Sequence, residues 1–246
     1  MTIEVAFAPA GLPKDEVAGR VVFVIDVLRA TTVVCAALHA GARGVIPVAS
    51  IEEAMKLMQT LGPDDVCLAG ERHGLPIPGF ALGNSPLEMT ESAVAGKTLI
   101  MTTTNGTGAL VTAASAAEVY LAAAVNLSVA GARARTLAEG GVPLTILCAG
   151  RDGQFGLDDG YTAGRLVIEA LGDHRRRDGL NDAALAAVDL VRRYGSNWRR
   201  PLGLSAAGRH LTELGMRPDV LEAAKQDRYP VLPQFHDRRI QVRPAE

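Results

Sequence analysis

Four apolar runs in this chain end in side chains able to do chemistry. Residues 21–25 deliver Asp26, Arg29, Thr31 and Thr32, and residues 66–69 deliver Gly70-Glu71-Arg72. Residues 97–101 deliver Thr102-Thr103-Thr104-Asn105-Gly106-Thr107, and residues 143–148 deliver Gly150-Arg151-Asp152-Gly153, with Asp158 and Asp159 soon after. Carboxylates beside hydroxyl and arginine donors suit a hard divalent cation that shares an anionic oxygen ligand. Mg2+ in particular takes one or two carboxylates and keeps waters that phosphate oxygens can replace. Arginine forks and threonine hydroxyls can hold the remaining oxygens. In 102–107 a glycine lets backbone N–H groups approach a ligand at a helix start.

The elements that must position these groups alternate between strand and helix. The segment 21–39 reads as strand, polar elbow and helix N-terminus, the arrangement by which an open α/β sheet presents a charged ligand site. Further strands fall at 44–49, 66–69, 97–101, 118–123 and 143–148. Between them lie helices at 50–61, 106–114 and 127–139, and another follows at 157–171. Ser50 and Glu53 form one capping box, and Ser85-Pro86-Leu87-Glu88 predicts a second. This pattern predicts an α/β three-layer sandwich with a largely parallel sheet covered on both faces. If the strands run parallel, their carboxyl ends share one edge and the four polar loops converge there.

A Pro/Gly-rich loop at 73–84 is long enough to be functional. Beyond a charged stretch at 173–178, expected to be a solvated turn, the chain is more helical (181–194, 205–214 and 219–226). It finishes in a closing strand pair, 231–235 and 239–242. The chain reads as a single α/β unit over 1–246, with lobes 1–172 and 173–246 as the alternative division.

Composition narrows the partners. Lys+Arg is 25 against Asp+Glu 27, so no basic field exists for nucleic acid or an anionic membrane. No apolar run approaches the ~20 residues of a membrane span. Cys35, Cys67 and Cys148 are isolated in apolar runs, which reads as buried thiols in a reducing compartment. Residues 1–10 lack a basic start, and a cytoplasmic protein is expected. A small anionic substrate is the expected partner, and self-association into a homo-oligomer is compatible with the aliphatic surface. Ala95-Gly96-Lys97-Thr98 mimics the end of a P-loop, but Glu91 stands where its first glycine belongs. Asp26-Val27-Leu28 resembles the haloacid-dehalogenase nucleophile motif, yet Leu28 replaces its proton-donating aspartate. Of the five histidines, only His210 is considered near a site, a surface helix position being the simpler reading.

Taken together, the motifs resemble the 2-phosphosulfolactate phosphatase family. They are Asp26 to Thr32 (DVLRATT), Gly70-Glu71-Arg72, Gly79-Phe80, Gly83-Asn84-Ser85-Pro86, Thr103 to Thr107 (TTNGT), Cys148-Ala149-Gly150 and Asp158-Asp159. SAAGRHLTELG at 205–215 and Asp227-Arg228-Tyr229 extend the likeness over nearly the whole chain, in order. The resemblance implies a Mg2+-dependent phosphoric monoester hydrolase that converts 2-phosphosulfolactate to 3-sulfolactate and phosphate, a coenzyme M biosynthesis step. It also implies a fold topology of the family's own. Residue readings and resemblance together give Asp26, Glu71 and Asn105 as catalytic candidates. Arg29, Arg72, Thr103, Thr104 and Arg151 are the substrate-binding candidates, and Asp26, Glu71 and Asp159 the metal ligands. Asp26 as ligand, nucleophile or base stays open. The alternatives are a phosphatase of another 2-phospho-hydroxy acid, a non-catalytic small-anion-binding protein, and, more weakly, a phosphotransferase.

Overall fold

The computed structural model describes residues 2–10, 12–62, 64–172 and 178–242; most of the charged stretch at 173–178 lies outside the described residues. The strands are β1 (Ile3–Ala6), β2 (Val21–Ile25), β3 (Gly44–Pro47), β4 (Val66–Arg72), β5 (Leu75–Pro76), β6 (Thr98–Thr102), β7 (Glu118–Ala122), β8 (Leu144–Cys148), β9 (Pro233–His236) and β10 (Arg239–Val242). The helices are α1 (Lys14–Val17), α2 (Ala30–His39), α3 (Ile51–Leu61), α4 (Glu91–Val94), α5 (Gly106–Ala113) and α6 (Leu127–Glu139). They continue as α7 (Leu157–Leu171), α8 (Asp182–Tyr194), α9 (Arg199–Leu204), α10 (Ala206–Glu213) and α11 (Arg217–Ala223).

All ten strands join one sheet in the order β1-β8-β2-β7-β9-β10-β3-β6-β4-β5. It is mostly parallel, as the α/β alternation predicts. One parallel block is β1-β8-β2-β7 and the other is β3-β6-β4. The C-terminal hairpin does not close an outer edge; it is inserted between the blocks. β9 runs antiparallel to β7 through Val119↔Phe235, and β10 antiparallel to β3 through Ile240↔Val45. Periodicity identifies strands but carries no information about which strands are neighbours. The hairpin turn itself has a local cause. Asp237 and Arg238 both take positive φ (49° and 61°), as a two-residue type I′ turn requires.

Every residue of β2, β6 and β8 is buried, so both faces of each are covered. Helices α6, α7 and α8 pack together over the first block, while α2 and α5 lie against β2 and its neighbours. A smaller core of Val48, Ala54, Val66, Leu68 and Ile100 sits under α3. The Ser50 box forms as predicted on its first side, Ser50 Oγ accepting from Glu53 N–H at 3.1 Å. The Ser85 box does not start an α-helix. Pro86–Glu88 is a single 3-10 turn, because the Glu88 carboxylate reaches back past Ser85 to take the Gly83 N–H at 2.9 Å. No helix among the described residues is long and apolar enough to cross a membrane.

Candidate active site

The predicted convergence of strand ends occurs, although the two blocks are separated by antiparallel pairings. A cavity of about 190 Å³ is lined by residues following β2, β4, β6 and β8 together with the starts of α7 and α10. Helices α2 and α5 make this possible, since each carries the chain from one block to the other. Their N-termini meet at Gly106. A Cβ on Gly106 would stand 2.8 Å from both Ala30 Cβ and Asp26 Oδ2, so only glycine lets the first turn of α5 approach that carboxylate.

Four buried carboxylates face this cavity, and they divide by what they hold. Asp159 accepts Val27 N–H at 2.9 Å on one oxygen and Gly150 N–H at 3.0 Å on the other, joining the ends of β2 and β8. Glu71 does the same for the second block, accepting Gly74 N–H and Thr104 N–H, both at 2.7 Å. Asp26 accepts a single, longer bond, Ala30 N–H at 3.3 Å within its own loop. The elbow around it is fixed through the backbone, Thr31 Oγ1 and Thr31 N–H both donating to Asp26 O. Asp158, a first-turn acid of α7 that is not among the candidates expected from sequence, lines the same wall and is 5% exposed. Burial pushes Asp26 up to about 7, with the charges of Asp158 and Glu71 adding to it. Burial also raises Asp158, to about 6. Asp159 moves up for the same reason and through the charge of Asp158.

The arginines part company. Arg29 lines the cavity but is spent largely on structure: Nη1 pairs with Asp219 at 2.6 Å and Nη2 donates to Gly74 O at 2.8 Å. Asp219, on α11, also accepts the Ser85 hydroxyl at 2.7 Å. Arg151 lines the cavity, donates to Ala206 O at 3.0 Å and lies 3.7 Å from its neighbour Asp152. Arg72 is not among the lining residues; it braces β4 against β6 through Glu71 O and Thr102 Oγ1. Thr103, Thr104 and Asn105 all line the cavity, and Asn105 Oδ1 accepts Asp152 N–H at 3.4 Å. His210 stands at the mouth of the cavity, its Nε2 against His73 O at 3.1 Å.

Two buried oxygens in the lining have no partner, Thr103 Oγ1 and Asn84 Oδ1. A buried orphan costs roughly 1–3 kcal/mol, so a ligand or water belongs there. Among the described residues no group of three His, Cys, Asp or Glu side chains forms a ready-made cage for a metal ion. The donor set nevertheless fits Mg2+, which needs only one or two carboxylates when waters and a substrate oxygen complete its shell. Asp26 fits that need best, since its carboxylate accepts only the long Ala30 bond while the oxygens of Glu71 and Asp159 already hold backbone N–H groups; Asp158 stands on the same wall and accepts N–H groups of its own helix start.

Acids, hydroxyls and a helix N-terminus gathered at strand ends make this an α/β enzyme site for a small oxyanion. A family model described as 2-phosphosulpholactate phosphatase matches residues 6–238. A probable 2-phosphosulfolactate phosphatase of Symbiobacterium thermophilum is 42% identical over 93% of this chain and 96% of its own length. The protein of that name from Deinococcus radiodurans is 44% identical over 83% of each chain. The one from Clostridium acetobutylicum is 34% identical over 98% of this chain and 100% of its own. The chain belongs to the 2-phosphosulfolactate phosphatase family, a family of phosphoric monoester hydrolases.

Proposed function

We propose that this protein hydrolyses 2-phosphosulfolactate to 3-sulfolactate and phosphate in a Mg2+-dependent reaction, as a cytoplasmic step of the coenzyme M type. The observation that carries the proposal is the meeting of the buried Asp26 carboxylate with the start of α5, where positive dipole and backbone N–H groups attract an oxyanion. A bound Mg2+, held by Asp26 and Asp158, would supply positive charge to the phosphoryl oxygens and acidify a bound water. Thr103, Thr104 and Asn105, with the first turn of α5, hold phosphoryl oxygens. Glu71 and Asp159 keep the loops that carry these groups in register. The buried Asp26–Asp158 pair retains a proton near neutral pH when no cation is bound, and cation binding releases it.

A second reading, a phosphatase of another 2-phospho-hydroxy acid, draws on one observation. Asp152 lies beside Arg151 and weakens its pull on a second acidic group of the substrate. Phosphate release from a panel of 2-phospho-hydroxy acids, with and without Mg2+, tests both readings. Release that needs metal and is fastest with 2-phosphosulfolactate supports the first; a better substrate elsewhere in the panel supports the second. No release from any member contradicts both.

A further inference from the structure

The residue nothing yet accounts for is Asn84. Its side chain is 5% exposed, its Oδ1 is buried without a hydrogen-bond partner, and it lines the cavity. A loose loop is not the reason, because the chain on both sides is pinned. Gly83 N–H donates to Glu88, Gly83 O accepts Gly70 N–H, and Ser85 Oγ donates to Asp219. The same Asp219 holds Arg29, whose three bonds leave two of a guanidinium's five N–H donors. Asn84 is thus carried on the loop that ends at the Arg29–Asp219 pair. The phosphoryl position proposed above lies by Asp26, Thr103 and the start of α5; Arg29 follows Asp26 on the same loop, and Asn84 reaches the cavity from a separate loop beyond β5.

We infer that Asn84 and Arg29 form a subsite for the acidic group at the non-phosphoryl end of the substrate, a carboxylate or sulfonate. This rests on the phosphatase reading above and adds the residue that selects the substrate's other end. The amide of Asn84 is uncharged and can turn end for end, which moves Oδ1 out of the place where it has no donor and presents Nδ2–H2, a pair of donors, to an anion. Arg29 contributes charge-assisted donors from a guanidinium already held in place, so little ordering accompanies binding.

The test compares two probes on the intact protein with Mg2+ present, 3-sulfolactate and inorganic phosphate, by isothermal titration calorimetry. Asn84→Ala is expected to weaken 3-sulfolactate binding about tenfold or more while phosphate affinity changes less than about twofold. Asn84→Asp, of the same shape but with a like charge facing the anion, is expected to abolish 3-sulfolactate binding and spare phosphate. Steady-state kinetics should place the Asn84→Ala effect in KM rather than kcat. Equal loss for both probes, or no loss for either, would overturn the subsite while leaving the phosphatase reading intact. A wild-type protein that binds phosphate but not 3-sulfolactate would do the same. A wild-type protein that binds neither probe and releases no phosphate would overturn both.

Discussion

The two parallel blocks of the sheet solve one problem with the same device and then diverge. In each, a buried carboxylate accepts backbone N–H bonds from two different loops and ties them together. Asp159 does this for the ends of β2 and β8, and Glu71 for the β4–β5 turn and the end of β6. What each block adds is different. The first contributes Asp26 and Asp158, acids whose burial resists ionisation. The second contributes Thr103, Thr104, Asn105 and Asn84, which are neutral. The lesson is that a carboxylate at a strand end is defined by its bonds. Asp159 and Glu71 tie separate loops together, Asp158 accepts N–H groups of its own helix start, and Asp26 keeps a single long bond.

Breaking that division should separate activity from stability. Asp26→Asn is expected to lower metal-dependent phosphate release by roughly 10³-fold or more while the fold persists, as turnover and circular dichroism together would show. The same variant should melt higher than wild type in metal-free buffer at pH 8. Because burial raises the Asp26 pKa from 3.8 to about 7, ionising it in the folded state opposes folding. That penalty is absent below pH 3.8, grows as pH rises and is complete above about 7. The gain should therefore shrink as pH falls through about 7 toward 4. Each ~1 kcal/mol is worth roughly 2–4 °C in a chain of this size.

The clamps should fail the other way. Asp159→Ala and Glu71→Ala each strand two backbone N–H groups in a buried setting, at a cost of roughly 2–4 kcal/mol. Thermal melts should fall accordingly in both, and activity should drop roughly 10–100-fold, the scale for residues that orient others. A smaller effect concerns protons: Mg2+ affinity should strengthen as pH rises from 5.5 to about 7.5, because the cation displaces a proton from the Asp26–Asp158 pair. Calorimetry in two buffers of different ionisation enthalpy would read that proton directly. Smallest of all, Arg72→Ala should change KM less than about twofold, since its guanidinium braces β4 and β6 outside the cavity.

Much of this was legible because local patterns carry it. Asp26 follows an unbroken apolar strand, and the threonine cluster follows another, so alternation alone placed both at strand ends. Arg72 neighbours Glu71 on one strand, where successive side chains point to opposite faces. The face that takes Glu71 to the cavity therefore takes Arg72 away. Asp158 reads in sequence as a first-turn acid favoured by the helix dipole, and only the closed fold shows it facing Asp26. Asp219, 190 residues from the arginine it binds, has no local signature. The hairpin of β9 and β10 was readable as a strand pair, but not its place between the blocks, which long-range pairing decides.

In the proposed site Asp26 holds the cation's charge, while Asp159 holds the wall. The rise in melting temperature on adding Mg2+, measured for wild type, Asp26→Asn and Asp159→Asn at pH 7.5, separates the two roles. A ligand that binds only the folded state stabilises it by about 2.7 kcal/mol at 100 times its Kd. Wild type should gain several degrees, Asp159→Asn should start lower but keep the gain, and Asp26→Asn should lose it. A gain retained in Asp26→Asn and lost in Asp159→Asn would reverse these roles.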